Sequence, residues 1–330
     1  MRCSANEAVP SPGPASLTHE TLQRRRRALQ AGFFLLFLLA PALDLLRFDL
    51  MDAQLWFLGQ RWSLGIDAFR AGQLSSTEVA LSILFKAIVP ALLLVGGFLF
   101  VAWRYGRLYC GWLCPHFSLV ELLNEQLWRA AGRRSLWEVP SGSQRSRRHA
   151  LLFVATALGF GFLWSITLLT YLLPPREIWG GLFSASLSAN QARFLFIAWA
   201  LFSAELLLAR HLFCRFGCAV GFFQSLAWMA NPRALVVSFS RERAPSCKGC
   251  EPHADACEDA CPMRLQPRRI KRLMFSCVQC GRCLQACDHS HTQRGSAPSL
   301  EWRVGVDALR ETLRQARQDA GRDQPPAGSR

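Results

Sequence analysis

The sequence predicts an α-helical membrane protein with four transmembrane helices, joined to a small, cysteine-rich α+β module. Three observations support this fold class. Hydrophobic residues make up 51% of the 330-residue chain. Four segments are apolar over the length of a membrane helix, and all of the 13 cysteines except Cys3 fall into tight groups. A high apolar content places the chain among membrane proteins before any single residue is considered.

The four apolar segments define a membrane domain that is predicted over residues 28–239. They are Ala28–Leu46, Val79–Trp103, His149–Leu173 and Phe194–Phe213. A hydrocarbon core of roughly 30 Å requires a helix of about 20 apolar residues, which these segments provide. The first apolar run continues without a small-residue cleavage site, so it is expected to be a retained span. Residues 1–27 are expected to form a flexible basic N-terminus.

The arginines between the spans predict the orientation of the chain. Residues 104–148 contain eight arginines, whereas 48–78 and 174–193 contain two each. By the positive-inside rule, both termini and the loop 104–148 face the cytoplasm of a bacterial inner membrane. The same distribution accounts for the net charge of +15. Membrane lipid is therefore the expected surrounding, and no nucleic-acid partner is expected.

Polar positions within the membrane domain add two expectations. Lys86 and Glu205 fall inside predicted spans, where charge is costly, and are expected to face the helix bundle. The spacing of Leu119 and Leu123 predicts a helix over 116–130, either in the membrane interface or packed in the ordinary way.

A cysteine run near the C-terminus has the spacing of bacterial ferredoxins. Residues 277–288 are CVQCGRCLQACD, in which two, two and three residues separate successive cysteines. In that pattern three thiolates bind one [4Fe–4S] cluster, and the fourth binds the neighbouring cluster. The cysteines are Cys277, Cys280, Cys283 and Cys287. Asp288 stands where the pattern often has proline, which predicts only a change in a turn.

A second run, CKGCEPHADACEDACP, supplies the partner set of ligands. Its cysteines are Cys247, Cys250, Cys257 and Cys261. The predicted pairing joins the first three with Cys287 at one cluster, and Cys277, Cys280 and Cys283 with Cys261 at the other. A longer loop between the second and third ligands is tolerable because the cost of loop closure grows slowly with length. His253, inside that loop, is expected to be solvated.

These runs predict a cytoplasmic ferredoxin-type domain with two [4Fe–4S] clusters over residues 240–292. Zinc is the alternative metal, but zinc sites seldom use this cysteine spacing. Residues 293–330 are predicted to be a basic C-terminal tail, in which EWRVGVDALRETLRQARQ predicts a charged helix.

Two further cysteine pairs lie where predicted spans meet the cytoplasmic side. Cys110 and Cys114 share the spacing of Cys214 and Cys218. If the helices continue through them, each pair lies at i and i+4 on one helical face. Thiols on the reducing side favour a metal site or a redox dithiol over a disulfide. Copper, a further cluster, a reversible dithiol and simple packing of small apolar residues all remain open.

Nearby polar residues extend this candidate site. His116 and His211 flank the two pairs and are candidate ligands or quinone partners, although an interfacial histidine often has neither role. Glu205 is a candidate for a proton-linked quinol site or for a structural polar contact.

The assembly of these motifs resembles the bacterial membrane-bound polyferredoxins. The likeness rests on YCGWLCP, LFCRFGCAVGFFQ, the paired ferredoxin runs and FSCVQCGRCLQACD. The group includes the iron–sulfur protein of cbb-type oxidase assembly, the quinol-oxidising membrane subunit of periplasmic nitrate reduction, and the C-terminal part of the nitrous oxide reduction regulator. FDLMDAQLWFLG, residues 48–59, is most similar to the oxidase-assembly member, whereas Ala219 stands where the family usually has proline.

The resemblance implies electron transfer through cytoplasmic clusters to respiratory redox partner proteins. In the oxidase-assembly case it implies reduction of Cu(II) to Cu(I), with the border cysteines as copper or redox ligands. The alternatives are a quinol dehydrogenase subunit and a non-catalytic, redox-sensing assembly factor. Whether the chain is an enzyme, as a cupric reductase or quinol dehydrogenase, is left open at this point.

Overall fold

The computed structural model describes residues 14–51, 54–133, 135–137, 146–250, 256–307 and 310. They form two compact units, each built from separate stretches of chain. The first unit comprises the residues up to Leu29, Val101–Trp112 and the chain from Ala219 onward. The second comprises Gln30–Phe100 and Leu113–Cys218. This division differs from the predicted boundary at 239, because 101–112 and 219–239 belong to the unit that holds the cysteine-rich module.

Helices make up most of the described chain. The α-helices are α1 (Pro14–Leu39), α2 (Ile66–Arg70), α3 (Ser76–Ile83), α4 (Val89–Tyr105), α5 (Leu108–Trp112), α6 (Pro115–Ala131), α7 (Arg147–Leu172), α8 (Pro175–Phe183), α9 (Ala189–Ala204), α10 (Ala219–Ala230), α11 (Ala256–Asp259) and α12 (Arg282–Thr292). Leu84–Ile88, Glu205–Ala209 and Phe213–Gly217 are π-helical, whereas Arg241–Gly249 and Lys271–Met274 are 3₁₀-helical.

The strands form two small antiparallel sheets. In the second unit, β1 (Leu46–Asp49) pairs with β2 (Gln54–Phe57), which pairs with β3 (Gln60–Trp62). In the first unit, β4 (Leu235–Phe239) pairs with β5 (Leu300–Val304).

Among the described residues, three continuous helices are long and apolar enough to cross a membrane. They are Ser76–Tyr105, Arg147–Leu172 and Ala189–Ala209. Leucines 92, 93 and 94 on the first are 66–74% exposed. Exposed leucines on an apolar helix of this length are the pattern of a lipid-facing surface. These helices correspond to the second, third and fourth predicted spans.

The first predicted span, Ala28–Leu46, takes a different form. Helix α1 ends at Leu39 and a turn leads into β1 at Leu46. The helical part of this span is about 12 residues, or about 18 Å long, which is shorter than a hydrocarbon core. The predicted count of four spans is therefore supported for three of them.

The C-terminal part of α1 nevertheless packs along α7. The ring of Phe34 stacks on Trp164 with centroids 5.4 Å apart, and the hydroxyl of Tyr171 donates to the carbonyl of Phe37 at 2.9 Å. Beyond the turn, the backbone N–H of Leu50 donates to the carbonyl of Leu172, the last residue of α7.

Helix α6 packs in the core of the second unit. Leu119 and Leu123 lie against Phe153 and Ala157 of α7 and against Leu206, and all five are buried. The helix predicted over 116–130 is confirmed, and it is a packed helix rather than one lying on an interface.

The two charged residues in the spans have different surroundings. The side chain of Glu205 is 16% exposed and faces His116, as expected for a bundle-facing charge. Lys86 is exposed, contrary to the prediction, since most of the helix Ser76–Tyr105 is exposed. Its ammonium group donates to the carbonyl of Ser63 at 3.3 Å.

The C-terminal part of the chain also differs from the prediction. Leu300–Val304 form strand β5, within a segment predicted as a tail and, from residue 301, as a charged helix. The register places Val237 opposite Trp302 and Phe239 opposite Leu300. Strand β4, which is distant in sequence, pairs with these residues. Tertiary pairing therefore overrides the local pattern that predicts a helix.

Helices α7 and α9 approach each other at a glycine. A Cβ atom at Gly161 would lie 2.5 Å from Oγ of Ser203 and 3.1 Å from its backbone nitrogen. Small residues at such crossings allow membrane helices to pack closely.

We expect Gly161→Ala to lower the thermal unfolding midpoint in detergent, because the added methyl group overlaps α9. Overpacking of this kind costs about 1–3 kcal/mol. Gly159→Ala on the same helix is the control, since nothing lies within 4 Å of its added Cβ. Equal midpoints for the two variants, measured by circular dichroism, would contradict the close approach.

Candidate metal centres

Four cysteines line one cavity in the first unit. They are Cys247, Cys250, Cys257 and Cys287. The cavity has about 280 Å³ of empty volume, and Phe239, Ala256, Arg268, Ala286, Ser299 and Leu300 complete its wall. These cysteines are the set that the ferredoxin pairing assigns to one cluster. We call this place the first site.

The other four cysteines line a second cavity of the same unit. They are Cys261, Cys277, Cys280 and Cys283. This cavity has about 320 Å³ of empty volume, and its other walls include Val237, Met263, Leu265, Met274 and Val278. We call this place the second site.

The cysteines on or just after two short helices are divided between the two sites. On α12, Cys283 faces the second site and Cys287 faces the first, although they are four residues apart. On α11 and the turn after it, Cys257 and Cys261 are divided in the same way. Each run of cysteines therefore contributes to both cavities.

The loop before α12 bends sharply to bring its cysteines together. Gln279 has a φ of 51° and Gly281 has a φ of 71°. Left-handed backbone at these two positions turns the loop between Cys277 and Cys283. The inserted residues 251–255 of the other run, including His253, lie outside the described residues.

Burial opposes ionisation of the free thiols in both cavities. Burial raises the pKa of the Cys257 thiol to about 12. Burial likewise raises the pKa values of Cys261, Cys277, Cys283 and Cys287. Such thiols are inert as free acids, whereas metal binding deprotonates a coordinating thiol outright. Four thiols around one small, buried cavity therefore fit an iron–sulfur cluster at each site.

Side chains that are not predicted ligands surround the first site. A guanidinium N–H of Arg294 donates to the sulfur of Cys250 at 3.3 Å, and the hydroxyl of Ser299 lies 3.6 Å from the sulfur of Cys247. The imidazole of His291 is fully buried, and its nearest ring nitrogen lies within 4.8 Å of the sulfurs of Cys247 and Cys250.

His291 is held in place by two hydroxyl groups. Its Nδ1 lies 2.8 Å from Oγ of Ser296, and its Nε2 lies 3.5 Å from Oγ of Ser299. Burial lowers the pKa of His291, and the cationic Arg294 and Arg243 lower it further. The helical spacing of Cys287 and His291 is the one sequence signal for this group.

Asp288 has a larger structural role than the sequence suggests. It lies inside α12, buried, rather than in a turn. Proline has no N–H and disrupts a helix interior. Aspartate therefore lets α12 continue past Cys287 to Thr292, and this continuation places His291 beside the first site.

The border cysteines do not lie on continuous helices. Cys110 is on α5, but Cys114 is the extended residue that precedes α6, with a ψ of 117°. Cys214 is in a π-helical turn, and Cys218 is extended at the end of that turn. The proposed i, i+4 face is therefore wrong. At the first pair the reason is Pro115, which disfavours a helical conformation in the residue before it.

Three of the four border cysteines, Cys114, Cys214 and Cys218, belong to the second unit. Cys114 and Cys218 are close enough to interact electrostatically. The pKa of Cys114 is raised chiefly by burial, and the neighbouring Cys218 also raises it. Cys110 belongs to the first unit, where the side-chain amide of Gln224 lies 3.4 Å from its sulfur.

A buried acid–base pair lies in the same unit as Cys114. Nε2 of His116 is 3.4 Å from Oε1 of Glu205, and the side chains are 18% and 16% exposed. The ring of Phe213 covers His116 edge-on at 5.6 Å. His211 is also buried in this unit. An imidazole and a carboxylate in this arrangement can share a proton.

Comparisons with known proteins support iron–sulfur chemistry for the chain. A family model described as a 4Fe-4S binding domain matches residues 87–134, which include Cys110 and Cys114. YccM of Escherichia coli (strain K12), provisionally named as an electron transport protein, is 23% identical over 228 residues. The alignment covers 67% of this chain and 57% of YccM, so the chain spans less than two thirds of that relative. No solved structure matches the chain. These similarities support an iron–sulfur protein of electron transfer.

We expect Arg294→Gln to lower the midpoint potential of one iron–sulfur signal by a few tens of millivolts. The guanidinium group favours the more negative, reduced state through its hydrogen bond to Cys250. The effect is limited because Arg294 is exposed, and a tenfold change in a one-electron equilibrium corresponds to about 59 mV.

The measurement is a redox titration followed by EPR. Arg269→Gln is the matched control, since Arg269 is exposed in the same unit and donates to Gln266 rather than to a cysteine. Identical potentials in the Arg294 variant and the control would argue against a role for the Arg294–Cys250 hydrogen bond.

Proposed function

We propose that this chain is a membrane-bound electron-transfer protein that holds two [4Fe–4S] clusters in its first unit. The observation that carries the proposal is the division of eight cysteines into two cavities of four, in the crossed pairing of dicluster ferredoxins. When bound, each cluster supplies one-electron redox chemistry. The residues of the chain bind the irons, exclude water and set the surrounding charge.

The walls of the two sites support electron transfer rather than reaction with a substrate. Cys280, Cys283 and Cys287 are buried. Residues such as Met263, Leu265 and Leu300 close the cavities with apolar atoms. Apolar walls limit the access of water and solutes, and they influence the reduction potential.

The arginine distribution supports an even number of membrane crossings, because it predicts that both ends of the chain lie on the same side. Among the described residues, three helices are long and apolar enough to cross: Ser76–Tyr105, Arg147–Leu172 and Ala189–Ala209. The apolar segment after Leu29 is left to supply a fourth crossing.

Packing on α7 supports the same proposal. The chain after α1 reaches Leu172 at the far end of α7. We therefore propose four crossings, with both ends of the described chain on the cytoplasmic side of a bacterial inner membrane. The arginines of 104–148 support that side.

We further propose that electrons from the two sites serve a redox centre at Cys114 and Cys218, and that this centre reduces Cu(II) to Cu(I). Cys114 and Cys218 belong to the same unit and supply the soft thiol ligands that Cu(I) prefers. The resemblance to the oxidase-assembly member supports copper, with respiratory proteins as partners. One electron from the chain is consumed for each copper ion reduced.

Quinol oxidation is the second candidate function, and the pair of His116 and Glu205 favours it. Oxidation of a quinol releases protons together with electrons. A buried imidazole and carboxylate within 3.4 Å of each other are suited to accept such protons. In that case electrons enter at the border and pass to a partner reductase.

Alanine variants of the cysteines test the crossed pairing. We expect Cys287→Ala to lose about half of the iron and acid-labile sulfide of the anaerobically purified protein. Adding Cys247→Ala should cause no further loss, because both cysteines serve the first site. Adding Cys277→Ala instead should remove nearly all of the iron, because it also disrupts the second site.

Cys3→Ala, outside the cysteine groups, is the control and should retain full iron. The pairing would be wrong if the variant lacking Cys277 and Cys287 kept half of the iron. Stoichiometric zinc without iron in the wild type would refute the proposed function itself.

The double variant Cys114→Ala/Cys218→Ala tests whether these two cysteines are needed for the reduction of Cu(II). We expect it to keep the iron of the two sites and to lose most Cu(II) reduction by the dithionite-reduced protein, because its soft ligands are gone. Copper reduction is followed with a Cu(I)-specific chelator. Unchanged copper reduction would remove the copper role. Reduction of the clusters by menadiol in membranes, lost in His116→Gln, would support quinol oxidation instead.

A further inference from the structure

The loop between two ligands of the second site rests on the segment that carries Cys110. Gly111 packs so closely on this loop that a Cβ atom there would overlap the carbonyl oxygen of Val278. The indole N–H of Trp112 donates to the carbonyl of Gln279 at 3.0 Å. Both contacts lie within the first unit.

The first helix holds the next residue of the same loop. The side-chain amide of Gln23 donates to the carbonyl of Cys280 at 2.7 Å, and Arg26 donates to the carbonyl of Gly111 at 2.9 Å. Arg26 also donates to the side-chain oxygen of Gln23 at 3.0 Å. Three consecutive carbonyl groups of the loop, from Val278 to Cys280, are therefore contacted by α5 or α1.

Helix α10 contacts both the chain before the ligand loop and the segment that carries Cys110. The hydroxyl of Ser225 donates to the carbonyl of Phe275 at 2.6 Å, and Nε of Arg107 donates to the same hydroxyl at 2.5 Å. Gln224 contacts the sulfur of Cys110. Ser225, Arg107 and Gln224 are almost fully buried.

We infer that the segment Cys110–Trp112 is a seat that holds the ligand loop of the second site in its metal-binding conformation. The inference rests on the proposed function, since it concerns how the second site keeps its cluster. Gly111 is a positioning residue here, because any side chain on it displaces the carbonyl of Val278. That carbonyl belongs to the residue between Cys277 and Gln279, so its displacement moves the ligands.

The seat makes the two sites unequal. Val278, Gln279 and Cys280, whose carbonyl groups α5 or α1 contacts, all line the second site. None of them is among the described residues that line the first site. A defect in the seat should therefore impair the second site selectively. The second site is also the one whose ligand loop lies next to a border cysteine.

Gly111→Ala is the primary test, with iron, acid-labile sulfide and EPR signals as readouts. We expect loss of about half of the iron and of one of two cluster signals, with the other signal unchanged. Gly96→Ala is the matched control, because nothing lies within 4 Å of its added Cβ. The control should keep all of the iron.

Trp112→Phe and Gln23→Met provide milder tests that do not add bulk to the seat. Each removes one donor to the loop, and we expect one cluster signal to broaden or shift in potential while the other stays unchanged. Trp199→Phe is the control for the first, since its indole donates to Leu158 in the second unit. These variants decide the inference if Gly111→Ala does not fold.

The outcomes separate the inference from the proposed function. Full iron and two unchanged signals in Gly111→Ala, or in both milder variants, would overturn the seat. Equal loss of both signals would overturn its selectivity for the second site. Absence of iron from the wild type would instead refute the proposed function.

Discussion

The geometry of both candidate metal sites depends on the constraint that each cysteine run serves two cavities. Cys283 and Cys287 on α12 face different sites, as do Cys257 and Cys261 around α11. Neither helix can shift without changing the ligand positions at both sites. The buried cysteines also form part of the apolar core, since Cys283 and Cys287 pack with Val237 and Leu300. A metal bound at either site would therefore also stabilise the fold of this unit.

The same unit extends well beyond the ferredoxin motifs. Strand β5 pairs with β4 and closes the core on one side. On the other side, the segment 101–112 and the start of α1 contact the ligand loop. The glycine and tryptophan of the motif YCGWLCP thus contact the ligand loop of the second site. This arrangement explains why a short motif at the end of a span has a small residue between Cys110 and Trp112.

The border region combines two kinds of chemistry in one unit. Cys114 and Cys218 provide soft, interacting thiols, and His116 with Glu205 provides a buried acid–base pair. The breaks in the helices at Cys114 and Cys218 leave extended backbone at both residues. Irregular backbone at the ends of apolar helices is tolerated where protein buries it. The second unit thus combines soft thiol groups with a pair that can share a proton.

The sequence by itself determined the apolar spans after the first, the helix at 116–130 and the division of the ferredoxin cysteines into two sets. These follow from local periodicity and from ligand spacing, which is constrained by the size of a cluster. Tertiary structure alone decided the rest. The pairing of β4 with β5, the contact of Gly111 with Val278 and the position of His291 beside the first site join residues far apart in the chain. Local patterns contain no information on which distant backbone group will satisfy a strand edge or fill the space beside a glycine. The interruption at Cys114 was readable from Pro115, but the unit to which each border cysteine belongs depended on the fold.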